Sequence, residues 1–155
     1  MKIHELLTPE NLELDFAPSP GQELKSLISL ACSRVGDASM NTCSLQEDEL
    51  HLIHGYMSEG LGILHNLSEA VNKPLLVLAL APAGVRLNGH SCQVLALLIS
   101  PLKGSGSHFQ LLAKLTSLLR NRRLREEMLA KRSGAEVVRA IKLQEESGHE
   151  NYWVL

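Results

Sequence analysis

Two kinds of hydrophobic spacing divide this chain. After the turn signal Pro18-Ser19-Pro20-Gly21, the residues Leu24, Leu27, Ile28, Ala31 and Cys32 recur at steps of three and four, which predicts a helix over 20–35 ending near Gly36. Residues 37–44 are polar and loop-like, and Ser44 with Glu47 forms a capping-box pattern that opens a short helix to about Ile53. The period then disappears. Leu75-Leu76-Val77-Leu78-Ala79-Leu80-Ala81 and Val94-Leu95-Ala96-Leu97-Leu98-Ile99 are unbroken apolar runs of strand length, closed by Pro82 and Pro101, as expected of strands covered on both faces. Between them, Gly84 and the pair Asn88-Gly89 mark turns around a short strand at 85–87.

From Ser107 onward the helical period returns in three blocks. These are Phe109, Leu112, Leu115, Leu118 and Leu119; then Leu124, Met128 and Leu129; then Val137, Val138 and Ile141, with Ser133-Gly134 as the last joint. Buried strands with helices before and after them imply a single layered α/β domain over 1–147, followed by a loosely held tail at 148–155.

Composition narrows the picture. At 155 residues the chain is long enough for one stable core without disulfides or a structural metal. Leucine supplies roughly a fifth of it, while aromatics are only 3%, so aliphatic packing must build that core. Fifteen Lys+Arg against 17 Asp+Glu leave a net charge of −2, with no basic field for nucleic acid. Cys32, Cys43 and Cys92 are odd in number and widely spaced, which suits packed thiols in a reducing compartment. The start, Met1-Lys2-Ile3-His4-Glu5, carries charge where a signal peptide needs an apolar run, and no stretch approaches the length of a membrane span. A cytoplasmic protein without membrane insertion is expected, with no cofactor.

Two segments carry candidate chemistry. Gly55-Tyr56-Met57-Ser58-Glu59-Gly60-Leu61-Gly62-Ile63-Leu64-His65 reads as a glycine-punctuated loop feeding a very short apolar strand that ends on His65. Lys103-Gly104-Ser105-Gly106-Ser107-His108 is a flexible loop ending on an N-cap serine, with His108 in the first helical turn. There, free backbone N–H groups and the positive dipole end can receive an anion, most naturally a phosphate.

These residues resemble the enzyme IIA domain of the fructose/mannitol type from the bacterial phosphotransferase system, including its nitrogen-regulatory branch. The opening Leu6-Leu7-Thr8-Pro9-Glu10-Asn11-Leu12-Glu13-Leu14-Asp15 resembles the start of that family. Gly60-Leu61-Gly62-Ile63-Leu64-His65 resembles its G-I-A-I-P-H signature, and His108-Phe109-Gln110-Leu111-Leu112-Ala113-Lys114-Leu115 resembles its H-L-x-L-L-A-x-L helix start. The likeness runs over about residues 3–143. It implies a mixed β-sheet flanked by helices on both sides. It also implies a phosphohistidine transferase component, with His65 as phosphoryl acceptor from an HPr-type phosphocarrier and His108 as stabiliser of the phosphoryl oxygens, assisted by the helix N-terminus and by Ser105 and Ser107 as phosphate-binding residues. The group would then pass to a transporter domain or act as a signal to a regulated target; with no transporter domain attached, regulation is the expectation.

The departures from the pattern are specific. Leu64 stands where the family has proline, and Asn66 and Leu67 stand where it has glycine and a basic residue. The place of a phosphate-clamping arginine falls near His51, with His54 beside it. An imidazole does not reproduce the fork geometry or fixed charge of a guanidinium. The alternative reading is therefore a degenerate, non-phosphorylated interaction module on the same fold. A metal site drawn from His51, His54, His65 and His108 lacks a carboxylate or thiolate frame, so no metal is expected. Arg120, Arg122, Arg123 and Arg125 are followed by Glu126 and Glu127, the pattern of a solvated, salt-bridged helix face, with docking of an acidic partner as its alternative. Tyr152 and Trp153 are either packed back on the body or a contact to a second copy in a homo-oligomer.

Overall fold

The computed structural model describes residues 1–34, 56–69, 71–103 and 105–151. The helix expected to open at Ser44, together with Cys43, His51, His54, Tyr152 and Trp153, lies outside the described residues. Among the described residues, five strands form one mixed sheet in the order β1-β4-β5-β3-β2: β1 (Leu12–Glu13), β2 (Tyr56–Ser58), β3 (Gly60–Ser68), β4 (Leu75–Leu87) and β5 (His90–Pro101). One helix, α1 (Glu23–Arg34), covers one face. Three more, α2 (Ser105–Leu119), α3 (Arg122–Ala130) and α4 (Gly134–Asn151), cover the other. The expected α/β domain with helices on both sides of a mixed sheet is thus present.

The unbroken apolar runs follow from this layering. On β4, Leu75, Val77, Ala79 and Ala81 face α1 while Leu76, Leu78 and Leu80 face α2–α4; β5 alternates in the same way. Each strand therefore needs apolar residues at every position instead of every second one.

Two strand boundaries differ from expectation. The segment 85–87 is not a separate strand: β4 continues through Pro82, with its register against β5 shifting between Leu80 and Val85. Gly84 sits there at φ +82°, a backbone that a side chain rarely adopts, so the proline marks a bulge rather than an end. The hairpin then closes on Asn88 and Gly89, both at positive φ, as a two-residue turn between antiparallel strands requires. The glycine-punctuated segment before His65 is likewise mostly sheet. It forms the hairpin β2–β3, and β3 runs on beyond His65 to Ser68.

The last two helices start where polar punctuation places them. The Asn121 side chain accepts from the Leu124 N–H to open α3, and Ser133 Oγ accepts from the Glu136 N–H to open α4. The last helix extends to Asn151, into the segment read from sequence as tail. Among the described residues no helix is long and apolar enough to cross a membrane.

The chain's start is held by its end. Glu145 on α4 accepts from the backbone N–H groups of Ile3 and His4, and from His4 Nδ1, each at 2.7 Å. Replacing Glu145 with alanine removes all three contacts of this clamp and leaves two part-buried backbone N–H groups and His4 Nδ1 to find water. A loss of about 1–3 kcal/mol in unfolding free energy is expected, measured by urea denaturation.

Candidate functional site

Strands β3 and β5 are parallel and adjacent, with His65 opposite Leu98 and Leu67 opposite Ser100. Their side chains alternate between faces, so His65 continues the row Leu61, Ile63 and Ser100 continues the row Val94, Ala96, Leu98. Both rows point toward α2, and each carries a polar side chain near the C-terminal end of its strand, His65 on β3 and Ser100 on β5. The chain leaves β5 at Pro101 and enters α2 at Ser105, which brings the first turn of that helix over the same edge.

His108 heads the buried stripe of α2, ahead of Leu111, Leu115 and Leu119 at helical spacing. Its Nε2 lies 3.2 Å from His65 Nδ1 and its Nδ1 lies 2.8 Å from Ser100 Oγ. The two imidazole rings are 5.2 Å apart between centroids, tilted by 43°. His108 is 1% exposed, Ser100 2% and His65 8%, so the row is enclosed except near His65. No buried side-chain nitrogen or oxygen among the described residues is left without a partner.

The two histidines singled out from sequence are therefore in contact, although 43 residues separate them. The helix begins at Ser105, so Ser107 lies within its first turn, not at the cap, and is exposed. His51, the candidate in place of an arginine, lies outside the described residues. Ser100 was not among the sequence candidates. In the sequence it is only a serine between the apolar run Val94–Ile99 and Pro101.

Other candidates resolve into structural roles. Arg125 donates from Nη1 to the Leu119 carbonyl and from Nη2 to the Glu59 carbonyl, tying the end of α2 to the β2–β3 turn. Arg122 pairs with Glu126 across one helical turn, both side chains exposed. Burial pushes the Cys92 thiol above its ordinary range, which makes it a poor nucleophile in the core. Among the described residues, no three His, Cys, Asp or Glu side chains gather to hold a metal ion.

The fold has solved counterparts. The nitrogen regulatory protein IIA-Ntr from Neisseria meningitidis superposes with a TM-score of 0.70 at 18% identity, over 90% of this chain and 98% of that one. The mannitol IIA from Escherichia coli gives 0.64 at 18%, over 87% of this chain and 98% of that one. The mannitol-specific cryptic phosphotransferase enzyme IIA of Escherichia coli gives 0.67 at 16%, over 91% and 98%. At such identities these structures establish the fold. A search of curated proteins returns no significant match. The family model described as "Phosphoenolpyruvate-dependent sugar phosphotransferase system, EIIA 2" matches residues 18–144, most of the chain and both histidines. The chain accordingly belongs to the EIIA type 2 family of the phosphoenolpyruvate-dependent sugar phosphotransferase system.

Proposed function

We propose that this protein is a phosphoryl relay component of the nitrogen-regulatory kind, accepting a phosphoryl group on Nε2 of His65 from an HPr-type carrier. The observation that carries the reading is the 3.2 Å approach of His108 Nε2 to His65 Nδ1. An imidazole held at Nδ1 by an acceptor keeps its proton there, and its Nε2 then presents a lone pair. Attack of that lone pair on the carrier's phosphorus forms a P–Nε2 bond as the donor P–N bond breaks. The departing electron pair returns to the donor imidazole, and His65 keeps its Nδ1 proton. The positive charge that develops on the His65 ring is shared with His108 through the same contact.

The surroundings favour a protein as donor. Leu102 and Phe109 flank the histidine row at 52% and 60% exposure, and the Phe109 ring meets His108 edge-on at 5.4 Å. Apolar side chains in this position suit a partner surface that covers the site and excludes water during transfer. The first turn of α2 adds backbone N–H groups and a positive dipole end beside the transferred group, with Ser105 and Ser107 in that turn. In this arrangement both ring nitrogens of His108 are engaged, so its contribution to the phosphoryl group runs through the His65 ring.

Incubation with phosphoenolpyruvate, enzyme I and an HPr-type carrier tests the proposal. The expected product is an adduct of one phosphoryl group, labile to acid and stable to base, formed only when all components are present. Absence of the adduct would favour the second reading, a IIA-like interaction module whose His51 fails to replace a clamping arginine. Phosphorylation-dependent contact with a regulated target, or onward transfer to a transporter, is the proposed use of the group.

A further inference from the structure

We infer that Arg125 is a positioning residue for phosphoryl transfer, fixing how α2 lies on the sheet and so where His108 meets His65; this deepens the phosphoryl-acceptor reading and rests on it. The two histidines belong to different bodies. His65 is built into β3, whose place is set by a hydrogen-bonded ladder to β5. His108 is carried by α2, which rests on that sheet through Leu111, Leu115 and Leu119, in one apolar cluster with Leu61, Ile63 and Leu98. Apolar packing is non-directional, so it sets the spacing between helix and sheet but resists tilt and slip weakly. A 3.2 Å contact between two rings tolerates little of either, since reacting groups need placing to within about 0.5 Å.

α2 is tethered at both ends. At its start, residues 102–104 join Pro101 of β5 to Ser105, which holds that end near the sheet but leaves the helix free to pivot about it. At its far end, the Arg125 guanidinium donates from Nη1 to the Leu119 carbonyl at 2.7 Å and from Nη2 to the Glu59 carbonyl at 3.1 Å. Leu119 is the last residue of α2, so its carbonyl is left over from the helical ladder and lies at the negative end of the dipole, where a cation is favoured. Glu59 is the turn residue between β2 and β3 and moves with the sheet. One planar fork therefore joins helix end to sheet with a fixed span and direction that a point charge lacks. Held at both ends, α2 cannot pivot, and its first turn keeps His108 against His65. The bridge lies at the opposite end of α2 from the histidines, so it acts on the transfer step and not on donor binding. A cavity of about 170 Å³ beside it, lined in part by Glu59, Gln93, Arg122 and Leu129, gives a guanidinium ion from solution access to the same two carbonyls.

The test compares Arg125→Ala and Arg125→Lys with the parent in single-turnover transfer from the phosphorylated carrier. Arg125→Ala is expected to lower the maximal rate roughly tenfold, part of the roughly hundredfold that a misplacement of about 1 Å can cost. The carrier concentration at half-maximal rate is expected to stay unchanged. Arg125→Lys keeps the charge without the fork and is expected to fall with the alanine variant. Millimolar guanidinium is expected to restore Arg125→Ala and leave the parent unmoved. Glu145→Ala is the control for lost stability, and its maximal rate is expected to match the parent wherever both are folded. The nuclear Overhauser effect between carbon-bound ring protons of His65 and His108, whose centroids lie 5.2 Å apart, reads the pair without any donor. It is expected to weaken in Arg125→Ala and to return with guanidinium. An unchanged ring-to-ring effect in Arg125→Ala, a full rate in either variant, or an equal loss of rate in Glu145→Ala would overturn the inference. A parent that takes up no phosphoryl would strike the role of His65 instead, and the ring-to-ring effect would still decide whether Arg125 places the pair.

Discussion

Phosphoryl uptake is expected to fall to background when His65 is replaced by alanine, with the fold retained. The acceptor nitrogen is the only group lost that forms a covalent bond, and a removed nucleophile has no partial substitute: His108 lies 1% exposed with its nitrogens turned to His65 and Ser100. A loss of at least three orders of magnitude, on the order of what the removal of an essential catalytic group costs, is read from the rate of radiolabelled phosphoryl incorporation. Circular dichroism and urea midpoint serve as controls. His65 lies near the C-terminal end of β3, past Leu61 and Ile63 in the same row, so the apolar layer that these two build is left intact. Substantial incorporation into His65→Ala at another residue would contradict the assignment.

The largest effect on stability is expected in the layer under the site. Leu115 is completely buried between α2 and the sheet, among Leu98, Leu111 and Leu119. Truncation to alanine removes its packing and opens a cavity, which lowers unfolding free energy by about 2–5 kcal/mol. For a domain of this size each kcal/mol shifts Tm by about 2–4 °C, so calorimetry resolves the change easily. Phe109→Ala, on the same helix but exposed, is the matched contrast and is expected to stay within about 0.5 kcal/mol of the parent. Because the Leu115 stripe also seats His108, Leu115→Ala is expected to slow phosphoryl uptake as well. Equal stability of the two variants would mean that α2 is not held by this stripe.

The contrast between Leu115 and Phe109 also shows where the sequence was legible. Helical spacing located α2, α3 and α4 and their joints, because amphipathic helices on a sheet must repeat near 3.6 residues. It placed Phe109 and Leu112 in the apolar set, yet the buried stripe runs through His108 and Leu111, one residue earlier, before joining the expected Leu115 and Leu119. In a leucine-rich helix two overlapping stripes fit the pattern, and a histidine heading one of them does not look like core. The strands β4 and β5 were visible as apolar runs, but Pro82 looked like an end when a glycine at positive φ turned it into a bulge.

The site was partly legible for a related reason. His65 and His108 stood out because their flanking glycines and helix start form recognisable local patterns, and the parallel pairing of β3 with β5 brings them together. Ser100 has no local pattern. Its meaning depends on which face of β5 it takes and on α2 folding back across the strand end, both of them consequences of tertiary packing. The Arg125 contacts to two backbone carbonyls are invisible for the same reason. A basic cluster in sequence does not reveal that one of its members closes a turn sixty-six residues away.

Phosphorus-31 and nitrogen-15 NMR of the protein after incubation with phosphoenolpyruvate, enzyme I and the HPr-type carrier tests the central claim most directly, because it reads both the residue and the nitrogen. A single phosphorus signal coupled to Nε2 of His65, absent from His65→Ala, is the predicted result. A protein that remains unphosphorylated under conditions that charge the carrier, or a phosphorus bonded to any other atom, would contradict it.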